Sequence, residues 1–220
     1  VDEPEAPDFS PTGEKVVFSA LRNGVGDIFE INLATQEIRN VTNDEFANYS
    51  PVYSPDGSSL VIVARVSANN KLFRLDLQTE NQTQLTFGTF DEMGTQFIDD
   101  RTIVFASTAT DPTLPLDPQT ARDAEIFNIW TLDLENGELR QHTDTATGNL
   151  NPVLLAGENG SQDRRIGFIS YFKGEYGLHT LPLGDPLYTA SASDFGGPGS
   201  IIDFQAPLSH LLVGDNSRKV

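Results

Sequence analysis

Pro51-Val52-Tyr53-Ser54-Pro55-Asp56-Gly57 runs directly into the apolar stretch Leu60-Val61-Ile62-Val63, and the reading of this segment decides the fold. Pro55 sets φ at about −65° and Gly57 accepts a left-handed backbone, so Ser54-Pro55-Asp56-Gly57 is a tight turn between two antiparallel strands. The same pattern stands 44 residues earlier as Pro7-Asp8-Phe9-Ser10-Pro11-Thr12-Gly13, ahead of Val16-Val17-Phe18. A third aromatic, Phe97, stands 44 residues after Tyr53 and precedes Ile103-Val104-Phe105. Short runs rich in β-branched residues at a fixed interval predict strands buried on both faces within a repeat architecture.

Each repeat continues in the same way. Ile28-Phe29-Glu30-Ile31-Asn32-Leu33, Leu72-Phe73-Arg74-Leu75-Asp76-Leu77 and Ile129-Trp130-Thr131-Leu132-Asp133-Leu134 alternate in character, which predicts a third strand with one drier and one wetter face. A polar turn then leads to a short last strand, at Ile38 to Thr42, Gln82 to Thr86 and Leu139 to Thr143. Ile129 stands 57 residues after Leu72 rather than 44, so the third unit carries a thirteen-residue insertion within 107–125, whose Pro112, Pro115 and Pro118 suit an exposed loop and not a central strand. A degenerate fourth unit opens at Pro152-Val153-Leu154, continues through Arg165 to Ser170 and Leu178 to Leu183, and closes near Leu187 to Ala190. Ile201 to Phe204 and His210 to Val213 read as the start of a fifth.

The fold class is therefore all-β: a β-propeller of four-stranded antiparallel blades, four of them plus the beginning of a fifth, within a ring of six or seven. The expected divisions are an N-terminal extension at 1–6, blades at 7–50, 51–94, 95–151 and 152–200, and a partial fifth blade or trailing segment at 201–220. Open blade edges would be covered by further sequence or by another chain, and Val1 in place of an initial methionine suggests a processed or excerpted segment.

Composition excludes several classes. The chain has 220 residues, 38% of them hydrophobic, and a formal charge of −18 from 32 acidic and 14 basic side chains, which argues against a nucleic-acid surface. It has no cysteine, so disulfides, thiol catalysis and cysteine-ligated zinc are out. No apolar run reaches the length of a transmembrane helix.

Pro-x-Phe/Tyr-Ser-Pro-x-Gly, an apolar strand, an Ile/Leu-Phe-x-Ile/Leu-x-Leu strand and a closing Leu/Val-Thr together resemble the TolB-like propeller repeat. Asp56 and Gly57 complete its Pro-Asp-Gly turn, Thr12 replaces the aspartate in the first unit, and Asp99-Asp100 stands in its place in the third. The resemblance covers most of residues 7–183. It implies a propeller of the kind found in TolB, in bacterial envelope proteins and in the non-catalytic domains of prolyl-oligopeptidase-like enzymes.

No catalytic, cofactor-binding or metal-binding residue is singled out. There is no Gly-x-Ser-x-Gly elbow, Gly196 to Ser200 lacks the Gly-Lys-Ser/Thr of a phosphate loop, and His142, His179 and His210 share no metal-ligand spacing. Asp99, Asp100, Asp111, Asp117 and Asp123 lack the order of a calcium loop, and Trp130 occupies the packing seat of Phe29 and Phe73. The expected function is a non-catalytic protein-protein interaction or scaffold module of a periplasmic or extracellular complex, with the rim loops 107–125 and 184–200 facing the partner. The alternatives are a substrate-gating domain of a prolyl-oligopeptidase-like hydrolase whose catalytic domain lies elsewhere and, more remotely, a propeller lyase or glycosidase.

Overall fold

The computed structural model describes residues 2–42, 44–110, 126–155 and 164–197. Its strands form four antiparallel sheets. The first holds β1 (Asp2–Phe9), β2 (Lys15–Arg22), β3 (Val25–Asn32) and β4 (Ile38–Asn40), and the second β5 (Asn48–Tyr53), β6 (Ser59–Val66), β7 (Asn69–Asp76) and β8 (Gln82–Gln84). The third contains β9 (Glu92–Phe97), β10 (Thr102–Ser107), β11 (Asn128–Asp133) and β12 (Leu139–Gln141), and the fourth β13 (Asn149–Leu155), β14 (Arg165–Phe172) and β15 (Glu175–Pro182). These are propeller blades, each a meander whose successive strands are hydrogen-bonded neighbours.

The turn chemistry works as its residues dictate. In the second sheet the Gly57 amide donates to the Ser54 carbonyl at 2.8 Å with Gly57 at φ 71°. Asp56 accepts from the Ser54 and Ser58 hydroxyls and the Ser58 amide, and these donors hold its carboxyl well below the usual range. Thr12 replaces Asp56 without loss of the turn, since the Gly13 amide still reaches the Ser10 carbonyl at 2.8 Å.

Apolar clusters fill the spaces between consecutive sheets. Val17 and Ile28 of the first sheet meet Tyr53, Leu60, Ile62 and Phe73 of the second. Val61, Val63 and Leu72 meet Ile103, Phe105, Trp130 and Leu132 of the third. Val104, Ala106 and Ile129 meet Ile166 and Phe168 of the fourth. Trp130 thus packs between sheets as its seat in the repeat indicates. Phe9, in the seat of Tyr53, is 63% exposed where Tyr53 is 6% exposed, because no described sheet lies beyond the first.

Three expectations need correction. β1 begins at Asp2 and pairs with β2, so residues 2–6 belong to the first sheet rather than to an extension. In the second sheet the third strand alternates as expected, with Arg74 and Asp76 half-buried beside buried Phe73 and Leu75, but in the third sheet it has no wetter face, since every residue of β11 is buried and Thr131 and Asn128 are met instead by His142, Thr143 and Asn149. Finally, residues 188–190 do not close the fourth sheet. They form β16 (Tyr188–Ala190), which pairs with β12 and gives the third sheet a fifth strand, while among the described residues no strand pairs with the outer edge of β15 and Leu178 is 75% exposed. The reason is the anchor that follows. A 3-10 turn, Ala192–Phe195, places Phe195 edge-on to Trp130 and to Phe90, at ring distances of 6.0 and 5.6 Å, in the core between the second and third sheets. Burying that ring against the third sheet draws the preceding strand onto its edge.

Candidate functional site

The first strands bend where they face the common axis. Each contains a register shift, and each has a left-handed residue there: Ala6 at φ 48°, Ser50 at 47°, Gly94 at 65° and Asn151 at 50°. These four residues, followed by Pro7, Pro51, Thr95 and Pro152, line one axial opening of about 300 Å3. Recurrence of the bulge in all four sheets makes it a device that shapes the funnel. Gly94 is the position of the four where a Cβ would crowd a neighbour, lying 3.3 Å from the Asn151 backbone. The signal available in sequence was the x-Pro pair at Ala6-Pro7, Ser50-Pro51 and Asn151-Pro152.

A second set of equivalent residues closes the first three sheets and, at the second and third junctions, ties one sheet to the next. The closing threonines Thr42, Thr86 and Thr143 accept, through their hydroxyls, the backbone N–H of Ile28, Leu72 and Ile129 at 2.9, 2.9 and 2.8 Å. Each hydroxyl then donates to a buried side chain: Asp27 at 3.2 Å, Glu92 at 3.0 Å or Asn128 at 3.0 Å. At the third junction Asn149, the first residue of β13, donates to both Asn128 and Thr143. At the second junction its counterpart is Glu92, which forms an ion pair with Lys71 at 3.0 Å and accepts from Ser107 at 3.1 Å. Lys71 also donates to the carbonyls of Phe87 and Phe90. Both charges are only 2% exposed, and burial pushes the Glu92 carboxyl up to about 7 against the pull of Lys71. At the first junction Asn48 turns instead onto Asp44 and the Phe46 carbonyl, and Asp27 is held by Arg22 at 3.0 Å.

One junction departs from the repeat. Between the first and second sheets opens a cleft of about 730 Å3, at the end where the Ser-Pro-x-Gly turns lie. Its floor is Glu30, which accepts from Lys15 Nζ at 2.8 Å, from Arg39 at 3.1 and 3.3 Å through Nε and Nη2, and from the Tyr53 hydroxyl at 2.9 Å. Against the cost of burial, these donors hold Glu30 below its ordinary value, while burial and the Glu30 carboxylate push the Tyr53 phenol up. The register puts Arg74 and Thr131 in the seat of Glu30, and Thr83 and Arg140 in that of Arg39. The ion cluster is therefore particular to this junction, and the repeat pattern alone does not require it.

Asp99 accepts from the Arg101 and Thr102 amides and pairs with Arg164 at 3.3 Å, which makes it a turn residue. No cluster of three or more His, Asp or Glu side chains suited to a metal occurs among the described residues. Of the rim segments, 107–110 continues from β10 and 111–125 lies outside the described residues, as do Asp111, Asp117, Asp123, His210 and the whole of 201–220. The segment 184–197 is not a free loop, since β16 and Phe195 dock it on the third sheet, while Leu187 stays exposed.

His142 has a consequence for pH. It shares a hydrogen bond of 2.9 Å with the Thr131 hydroxyl, and burial followed by the Arg140 charge lowers its pKa from 6.5 to about 4. The unfolded chain takes up that proton at a higher pH than the folded one, so this contribution is complete above pH 6.5 and is lost as pH falls towards 4. Glu92, with its raised value, acts with the opposite sign between 4.5 and about 7. Urea unfolding of wild type and His142→Gln across that window separates the two. The expected result is that the stability difference between them shrinks as the pH is lowered; a constant difference contradicts the assignment.

Antiparallel sheets of three to five strands set around an axis, packed face to face and opening on a shared funnel, define a β-propeller fold. The chain belongs to the TolB beta propeller domain family, whose pattern matches residues 3–116. It is 52% identical over 42 residues to the Tol-Pal system protein TolB of Gluconobacter oxydans (strain 621H), a match covering 19% of this chain and 9% of that protein. Its fold is similar to that of a putative TolB from Agrobacterium tumefaciens, with a TM-score of 0.63 and 19% identity over 86% of this chain and 65% of that one. It is also similar to a puromycin hydrolase, with a TM-score of 0.59 and 17% identity over 84% of this chain and 28% of the hydrolase. The chain spans less than two thirds of each of these relatives. No helix among the described residues is long and apolar enough to cross a membrane.

Proposed function

We propose that this chain is a non-catalytic protein-binding or scaffold module of an extracytoplasmic complex, in the periplasm or at the envelope. The observation that carries the reading is how its buried carboxylates are engaged. Glu30 accepts from Lys15, Arg39 and Tyr53, and Glu92 from Lys71, Thr86 and Ser107, so both serve the packing of neighbouring sheets and neither presents a lone pair to a substrate. Membership of the TolB domain family and the similarity to a Tol-Pal system protein support the compartment and the kind of partner. The segment 107–125, inserted only in the third unit, is the partner-facing element of this reading.

The experiment is covalent cross-linking of the natural protein in its own cells, followed by measurement of its intact mass and identification of the joined chains. The reading predicts a defined envelope protein cross-linked through 107–125. A protein that instead carries an α/β-hydrolase domain and cleaves peptides, with no such partner, would replace it with the substrate-gating alternative.

A further inference from the structure

We propose that the cleft between the first and second sheets is a binding site for a small zwitterionic ligand of the amino-acid or short-peptide class, its carboxylate seated on Lys15 and Arg39 and its cationic group directed to the acidic rim. The cleft volume of about 730 Å3 is of the size that encloses such a molecule. At its floor two cations, Lys15 and Arg39, sit over the one buried carboxylate of Glu30, while Glu37, Asp56 and Asp76 make the rest of the lining acidic. Glu30 takes up one N–H of Lys15 and the Nε and one Nη2 contact of Arg39. The remaining N–H groups of both have no partner among the described residues, and both side chains are about two-fifths exposed, at 41% and 43%. Glu30 thus holds two cations in place with donors left over, an arrangement suited to a planar oxyanion.

The rim selects among oxyanions. Glu37, Asp56 and Asp76 line the same cleft, so a multiply charged phosphate or dicarboxylate meets repulsion, whereas a ligand with a cationic arm finds a partner. The other junctions cannot do this, because Arg74 and Thr131 occupy the seat of Glu30. This inference is independent of whether the chain binds a protein elsewhere.

The test is calorimetric and NMR titration of the intact chain with L-alanyl-L-lysine, glutarate and inorganic phosphate. The expected result is saturable binding of the dipeptide, in about the millimolar range or tighter, with amide shifts confined to the cleft. Arg39→Gln should weaken it by at least about tenfold, one charge-assisted contact. Glu37→Gln removes an exposed rim charge whose side chain has no partner among the described residues; it should weaken the dipeptide and leave glutarate unchanged or improved, and it stays informative if Arg39→Gln does not fold. Absence of saturation, shifts outside the cleft, equal binding of glutarate or phosphate, or indifference of the dipeptide to Glu37→Gln would overturn the proposal.

Discussion

Glu92→Leu is expected to destabilise the fold by about 3–5 kcal/mol, the cost of leaving a buried charge without its partner. The substitution strands Lys71, 2% exposed, with only the carbonyls of Phe87 and Phe90 for company. Lys71→Met should cost less, because Glu92 has an escape that Lys71 lacks. Burial already pushes its carboxyl up to about 7, so without Lys71 it becomes neutral and can stay between Thr86 and Ser107. The double variant Lys71→Met/Glu92→Leu should recover most of the loss, since apolar side chains of similar volume often replace buried ion pairs without penalty. Urea unfolding of the four proteins closes the cycle. Additive effects would mean that the two residues act separately, against the geometry of a 3.0 Å contact.

Trp130→Ala carries the second large effect, about 3–5 kcal/mol for an aromatic removed from a packed core. Trp130 is 1% exposed and is contacted edge-on by Phe195 and Tyr188. Its loss removes the surface on which the 192–195 turn rests, so β16 should lose protection against amide exchange along with the core. Trp130→Phe offers the control. The indole Nε1 has no hydrogen-bond partner among the described residues, and Phe29 and Phe73 fill the equivalent seats, so a phenyl ring forfeits area but none of the described polar contacts. A Phe variant as damaged as the Ala variant would contradict this view of the seat.

The local parts of the fold were legible because their causes are local. Ser54-Pro55-Asp56-Gly57 makes its turn from its own atoms, and Val61 or Val104 declares a buried strand wherever it sits. The partner of a three-residue strand is not local. Residues 188–190 carry no mark that they pair with β12 rather than β15, since that choice rests on Phe195 finding Trp130, some 65 positions away in the chain. The bulges escaped for a related reason, because a one-residue slip leaves period-two alternation intact on either side. The cleft was hidden differently. Glu30 reads as one more polar residue of an alternating strand, and becomes distinctive only when register aligns it with Arg74 and Thr131.

A propeller must hold its sheets in fixed relation, and the threonine-centred contacts do this within the first sheet at Thr42 and between sheets at Thr86 and Thr143. The direct measurement is hydrogen exchange at the amides of Ile28, Leu72 and Ile129, which donate to Thr42, Thr86 and Thr143. The account predicts that all three exchange only through global unfolding, and that Thr86→Val accelerates Leu72 together with Glu92 on the neighbouring sheet. Exchange of the three at the rate of the exposed turns, or a Thr86→Val effect that stops at the second sheet, would contradict it.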